Sequence, residues 1–139
     1  MTNQSPINKS LFEALMRAES PTIQTVRGKY TFGIVKSGQN GKRLSFSKSL
    51  VEDLDVSDTI YTKLSVEDRK LVIGKELPFP KPTKLELKGV GKKISYNAGF
   101  VELLTSLFDL DFSDKSSMTM YDIVLDSIDG VPVAVISFP

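Results

Sequence analysis

Two pairs of adjacent basic residues, Lys42-Arg43 and Lys92-Lys93, are the side chains in this chain best suited to binding a ligand. Each pair follows a glycine and flanks a predicted turn, and the two pairs occupy equivalent places in a repeated segment. Cations clustered on one surface attract polyanions such as the phosphate backbone of a nucleic acid. The pairs therefore predict an anion-binding surface. The alternative interpretation is that they are only the solvated ends of two hairpins.

Histidine and cysteine are both absent, which restricts the reactions that the chain could catalyse. Without these residues there is no Ser-His-Asp triad, no Cys-His dyad and no ordinary zinc site. The segment that contains Asp109, Asp111 and Asp114 lacks the central glycine and closing glutamate of a calcium loop. The segment Gly89–Lys93 lacks the full spacing of a phosphate-binding loop. We therefore expect a non-enzymatic protein that uses no cofactor and no metal.

The formal net charge of +1 conceals an uneven distribution of charge along the chain. Residues 27–48 contain six basic side chains and no acid, whereas residues 102–129 contain seven acids and one lysine. This asymmetry predicts a basic surface that faces a polyanion and an acidic surface elsewhere. Two solvated faces of opposite sign are the alternative.

An internal repeat of about fifty residues relates the two basic pairs. Residues 41–54 return as residues 91–104 without a gap, and six of the fourteen positions are identical. With 139 residues, of which 40% are apolar, the chain has the size of one domain or of two small halves that share a core. No apolar run approaches the roughly 18 residues of a membrane span, and the polar start lacks a signal pattern. We therefore expect a cytoplasmic protein that does not contact a membrane.

The sequence pattern divides the chain into four segments. Residues 1–26 are predicted to form a disordered lead and a short amphipathic helix, which Ser10 begins. Residues 27–76 have the pattern strand, strand, short helix, strand, strand. Residues 77–83 contain three prolines and predict a stiff linker. The helix in the first segment carries one apolar stripe, our candidate partner-binding surface if it does not pack within the chain: Leu11, Phe12, Leu15 and Met16.

The fourth segment, residues 84–139, repeats the order of the second segment with a longer helix. Asn97 is its predicted N-cap. The segment 117–128 predicts one extended strand, and Asp129-Gly130 predicts a hairpin turn. Pro132 suggests that the last strand lies at an edge or a bulge. The helix is expected to bury one apolar stripe: Phe100, Val101, Leu104, Leu107 and Phe108.

The second segment resembles the swapped-hairpin family of AbrB and MazE, which includes bacterial transition-state regulators and antitoxins. The resemblance rests on Gly33–Lys36, on Gly41–Leu44 and on the hairpin Val66–Ile73. It covers residues 29–75 well and residues 84–138 through the internal repeat. In that family, two ββαββ chains interleave into one small barrel. The resemblance implies a β-rich α+β fold in which two ββαββ swapped-hairpin repeats form one pseudo-dimeric barrel, preceded by an N-terminal helix.

The same resemblance implies binding of double-stranded DNA through basic residues of the first two strands in each unit. The chain departs from strong DNA binders in its near-neutral charge and its acidic second half. The leading hypothesis is a non-enzymatic bacterial or phage DNA-binding transcriptional regulator, as a pseudo-dimeric monomer or a homodimer. The alternative is a protein-interaction module, an antitoxin or a phage-encoded inhibitor, that uses the acidic half and the N-terminal helix. The residues that match the family's DNA-contacting positions are Lys36, Lys42, Arg43, Lys88, Lys92 and Lys93.

Overall fold

A computed structural model of the chain describes residues 29–38 and 41–139. This part of the chain contains nine strands and two short helices, and most of its secondary structure is antiparallel sheet. The predicted N-terminal helix, with Leu11, Phe12, Leu15 and Met16, lies outside the described residues. In chain order the elements are β1 (Phe32–Ser37), β2 (Gly41–Phe46), α1 (Lys48–Leu54), β3 (Thr59–Ser65), β4 (Lys70–Gly74), β5 (Thr83–Glu86), β6 (Lys93–Ser95), α2 (Ala98–Leu107), β7 (Ser117–Met120), β8 (Ile123–Ile128) and β9 (Val131–Ser137).

The first sheet has four strands in the order β6-β2-β1-β7. Side chains alternate between the faces of a strand, so the pairs Phe32–Phe46 and Ile34–Leu44 lie on one face of β1 and β2. All four of these side chains are fully buried, which defines the inner face of the sheet.

The second sheet has five strands in the order β5-β3-β4-β9-β8. Its β8–β9 hairpin turns at Asp129 and Gly130, whose φ angles are 53° and 82°. Two positive φ values in a two-residue loop match the right-handed twist of the strands, which confirms the predicted turn. Pro132 pairs with Ser127 of β8, and β9 lies between β4 and β8. β9 is therefore an inner strand, but Pro132 itself has a ladder partner on one side only, which is an edge position as predicted. The proline is accommodated because the β4 ladder ends at the Gly74–Val133 pair.

A single main core contains side chains from both sheets and both helices. Leu50, Val51 and Leu54 of α1 are buried in it, as the sequence predicts. Aromatic rings form its centre: the Phe32 and Phe46 ring centroids are 5.3 Å apart, and those of Phe108 and Phe138 are 4.5 Å apart. In α2, Phe100, Val101 and Leu104 are buried. Leu107 is 38% exposed, so its predicted place in the core is wrong.

A smaller cluster lies apart from the main core and includes the proline-rich segment. Phe79 is buried there with Val72 of β4 and Val135 of β9. The Nζ atom of Lys63 donates a hydrogen bond to the carbonyl oxygen of Pro80, at 2.7 Å. The segment between Gly74 and Thr83 is therefore packed against the five-stranded sheet.

The predicted closed barrel of two ββαββ repeats is wrong. The strands form two separate sheets, and the second half of the chain has five strands around its helix instead of four. The predicted continuous strand 117–128 is interrupted at Tyr121 and Asp122, where the amide of Ile123 donates to the carbonyl oxygen of Tyr121 at 2.9 Å. This local turn breaks the strand, so β7 joins the first sheet and β8 joins the second.

Both sheets nevertheless combine strands from either side of the proline-rich segment. β6 pairs with β2 and β7 with β1 in one sheet, and β5 pairs with β3 and β9 with β4 in the other. Backbone hydrogen bonds of one half therefore depend on the other half. The described part of the chain contains no helix that is long and apolar enough to cross a membrane.

Candidate nucleic-acid interface

Lys36 and Lys42 lie directly opposite each other in the β1–β2 register. They are on the same face as Ile34 and Leu44, just beyond the apolar core. Their Nζ atoms lie 3.3 Å and 2.6 Å from the two carboxylate oxygens of Glu102, on α2. Two of the six predicted DNA-contacting cations are thus paired with one carboxylate.

The pairing changes the protonation behaviour of Glu102. Hydrogen bonds from Lys42 and then from Lys36 lower the pKa of this carboxyl below its ordinary value. Glu102 therefore stays ionised at neutral pH and offsets part of the positive charge of the two lysines. The sequence alone could not reveal this pairing, because Glu102 is about sixty residues away from Lys36 and Lys42 in the chain.

Arg43 lies on the opposite face of the first sheet from its neighbour Lys42. It pairs in register with Val35, and both side chains are half-buried. Among residues 29–38 and 41–139, no acidic side chain forms an ion pair with Arg43. The structure therefore separates Lys42 and Arg43, which the sequence treats as one basic pair.

Of the remaining three predicted cations, Lys88 and Lys92 lie on the turn between β5 and β6, and Lys93 is the first residue of β6. Lys88 and Ile94 close this turn with two backbone hydrogen bonds of 2.8 Å. Within the turn, the Nζ atom of Lys93 donates to the carbonyl oxygen of Gly89 at 2.7 Å. Gly89 and Gly91 have φ angles of 110° and 77°. These left-handed conformations favour glycine and give the turn its shape.

Lys48, at the start of α1, lies beside this turn. A Cβ atom added at Gly91 would lie 3.7 Å from the Cδ atom of Lys48, so the aliphatic part of that side chain lies close to the turn. The Nζ atom of Lys48 is 4.0 Å from the carboxylate of Glu52, and both side chains are well exposed. Such an exposed pair is weak. The sequence does not distinguish Lys48 from the other members of its basic run, because only folding brings it close to the turn.

Lys88 and Lys92 are exposed, and in the described part of the chain they have no ion-pair partner. We call the four lysines of this region the basic corner. They consist of Lys48, Lys88, Lys92 and Lys93.

Three of the seven acidic side chains of residues 102–129 lie in a different loop. Asp109, Asp111 and Asp114 follow α2, whose ten residues span roughly 15 Å. Hydrogen bonds from the hydroxyl and the amide of Ser113 lower the pKa of Asp111. These aspartates are solvent-exposed, as expected for an acidic surface.

Two shallow depressions lie next to each other beside the C-terminal residues. One, of about 500 Å³, is lined by residues 118–122 and 137–139. The other, of about 450 Å³, includes Arg69 and the acidic loop. The Arg69 guanidinium donates to the carbonyl oxygens of Phe108 and Pro139, both at 2.6 Å, so it has a structural role. Across residues 29–38 and 41–139, no group of three acidic side chains is arranged to hold a metal.

In comparisons with known proteins, no family model matches the chain, and neither a curated protein nor a solved structure matches it significantly. The resemblance to the AbrB and MazE family therefore rests on the sequence motifs alone. The candidate interface consists of a basic corner on one turn and two further lysines that are paired with Glu102.

Proposed function

We propose that this chain is a non-enzymatic DNA-binding regulator that contacts duplex DNA through the basic corner. The observation that carries the proposal is the position of Lys88 and Lys92, exposed and without an ion-pair partner in the described residues, beside Lys48. The paired state of Lys36 and Lys42 makes them the weaker candidates of the six.

Local charge, and not the net charge of the chain, drives the proposed binding. A net charge of +1 gives little general attraction to a polyanion. Three or four lysines on one corner nevertheless create a local positive potential, and each lysine that reaches a phosphate releases condensed counterions. Phosphate contacts position a protein on DNA, whereas contacts with base edges provide specificity.

The sequence supports the same class of function. Residues 29–75 resemble DNA-binding members of the AbrB and MazE family, and that resemblance is the basis for proposing transcriptional regulation by occupation of a promoter. A regulator of this kind would act in the cytoplasm.

The proposal is tested by titrating a short duplex with the protein at several salt concentrations. We expect binding at about 50 mM salt and a steep loss of affinity as salt rises. In a Lys88→Gln/Lys92→Gln variant, the slope of log affinity against log salt should fall by about 0.9 for each phosphate that is no longer bound. The matched control is Lys36→Gln/Lys42→Gln, which removes the same charge from a site paired with Glu102. Absence of binding at low salt would contradict the proposal.

A second candidate function, a protein-interaction module, is favoured by apolar side chains on the outer face of α2. Leu103 and Leu107 are 42% and 38% exposed, and they lie four residues apart on the same face of the helix. A Leu103→Ser/Leu107→Ser variant should lose association with a partner or with a second copy if this face is an interface. Gel filtration with light scattering measures association between copies, and unchanged association in the variant would exclude this face from it.

A further inference from the structure

Val90 is the most exposed apolar side chain in the described residues. It is 99% exposed, at the tip of the turn that carries Lys88 and Lys92. A valine in this position contributes no burial to the fold. Single exposed apolar residues are common on protein surfaces, so exposure alone indicates nothing. The surroundings of Val90 distinguish it from such cases.

The turn holds Val90 away from the rest of the protein. The reciprocal hydrogen bonds between Lys88 and Ile94 close its base. The hydrogen bond from the Nζ atom of Lys93 to the carbonyl oxygen of Gly89 links its two sides. These contacts limit the number of conformations that the tip can adopt. Val90 is therefore presented by a braced turn.

The tip is also narrow. The residues on both sides of Val90 are glycines without a Cβ atom, and the next residues outward are lysines. An apolar side chain thus projects alone, with a cation two positions before it and a cation two positions after it. This arrangement fits a ligand that has a narrow apolar interior between two lines of negative charge.

We propose that this turn enters the minor groove of duplex DNA and that Val90 acts as an apolar wedge between base pairs. Lys88 and Lys92 then contact the phosphates on the two sides of the groove. The inference rests on the proposed function and goes beyond it by naming the groove and the residue that deforms the DNA.

We place the tip in the minor groove because a single side chain between two glycines needs little room. The minor groove is about 6 Å wide. Proteins that bind the minor groove frequently insert apolar side chains between base steps, which kinks the duplex by about 20–90°. Pyrimidine–purine steps such as TA are the most easily kinked. We therefore expect a preference for A·T-rich sites that contain a TA step.

The experiment measures affinity and DNA bending with a duplex that carries a fluorescent donor and acceptor at its two ends. The wild-type protein should bind the duplex and bring the ends closer together. Val90→Thr keeps the shape of the side chain but replaces one methyl group with a hydroxyl group, and it should abolish the bend and weaken binding roughly tenfold. Its salt slope should be unchanged, because both lysines still reach their phosphates. Val90→Leu, which stays apolar, should bend the duplex as the wild type does.

The outcomes separate the wedge from DNA binding itself. If the wild type binds without bending the duplex, or if Val90→Thr bends it equally, the wedge is wrong while the proposed function stands. If the wild type does not bind duplex DNA at low salt, both are wrong. Sedimentation with phosphatidylserine vesicles that depends on Val90, together with straight DNA, would assign the tip to an anionic membrane and overturn the proposal. Because Val90 is 99% exposed, equal melting temperatures should show that the variants are folded.

Discussion

At the scale of single residues, the structure separates cations that are alike in the sequence. Lys36 and Lys42 share the carboxylate of Glu102, whereas Lys88 and Lys92 have no such partner among the described residues. The sequence predicts DNA contact equally for all of these lysines, since each of them follows or precedes a turn. It could not predict which of them is paired, because the partner comes from α2 in the other half of the chain. The positions of Glu102 and Lys48 are the information that only the fold supplies.

The pairing of Glu102 predicts how stability depends on pH. Its pKa is lowered in the folded state, mainly by the hydrogen bond from Lys42. The stabilising contribution is therefore present above the unfolded-state pKa of about 4.3 and is lost as the pH falls through the folded-state pKa. Glu102→Gln should lower the free energy of unfolding at pH 7 and have no such effect at strongly acidic pH. Urea unfolding at several pH values measures this difference.

Two other carboxyl groups bear on that experiment. Lys75 lowers the pKa of Asp55, and Ser113 lowers the pKa of Asp111. Both keep their own acid dependence in the Glu102→Gln variant, so only the difference between variant and wild type reports on Glu102. A difference that does not shrink as the pH falls would show that the ion pairs do not stabilise the fold.

Tyr30 provides a second prediction at the residue scale. Its ring is buried, and its hydroxyl donates a hydrogen bond to Asp53 on α1. Burial is the main reason that the pKa of this phenol is raised, so the hydroxyl keeps its proton at neutral pH. Tyr30→Phe removes the hydrogen bond and keeps the ring, and should lower the free energy of unfolding by about 0.5–1.5 kcal/mol. Chemical denaturation measures this change. Lys29→Gln is the control, because it removes the 3.9 Å ion pair with Asp53 and the cation 5.0 Å above the Tyr30 ring but keeps the hydrogen bond between Tyr30 and Asp53. Equal stability of Tyr30→Phe and wild type would contradict the prediction.

At the scale of elements, the sequence predicts a feature correctly where that feature depends on neighbouring residues in the chain. The Asn97 side chain accepts a hydrogen bond from the amide of Phe100 at 2.9 Å, which confirms the predicted N-cap of α2. Ser47 is the N-cap residue of α1 by position only. Its hydroxyl makes no cap hydrogen bond and instead accepts from the amide of Thr31, at 3.1 Å.

The contribution of the Asn97 cap to stability can be measured. Asn97→Ala should lower the free energy of unfolding by about 1 kcal/mol, since the cap bond to α2 is lost. Asn97→Asp keeps an acceptor oxygen at the same place and should restore most of that stability. Thermal and urea unfolding of the three proteins provide the comparison. If Asn97→Ala and Asn97→Asp were equally destabilised, the hydrogen bond would not be the source of the effect.

Predictions from the sequence were wrong where a feature depends on residues that are distant in the chain. The alternation of residues 117–128 is typical of one strand, but the chain leaves the first sheet at Tyr121 and enters the second at Ile123. The exposure of Leu107 has a similar origin. Its apolar character fits the buried stripe of α2, yet the core is already filled by Leu104 and Phe108. Neither result follows from periodicity, because both depend on how far each sheet extends.

At the scale of the whole molecule, the central structural feature is that both sheets combine strands from the two halves. β4 pairs with β9, and β1 pairs with β7, across the proline-rich segment. The internal repeat indicates that the halves are related. The number of strands and their division between two sheets arise from long-range pairing, which the repeat does not specify.

Cleavage of the chain tests this dependence. A protease site inserted after Lys81, which is exposed, should allow a cut that leaves the two pieces associated under native conditions. Each piece separated in denaturant should then fail to fold alone, because its strands lack their partners. Circular dichroism and thermal melting of the isolated pieces and of the remixed pair measure this. A cooperative melting transition in either isolated piece would contradict the prediction.

The separation of charge over the surface is the feature on which the proposed function depends. Lysine acetylation followed by mass spectrometry reports the accessibility of each lysine with and without a short DNA duplex. We expect DNA to slow the modification of Lys48, Lys88 and Lys92 and to leave that of Lys36, Lys42 and Lys63 unchanged. Protection of Lys36 and Lys42 in place of the basic corner, or no protection at any lysine, would show that DNA does not bind at this corner.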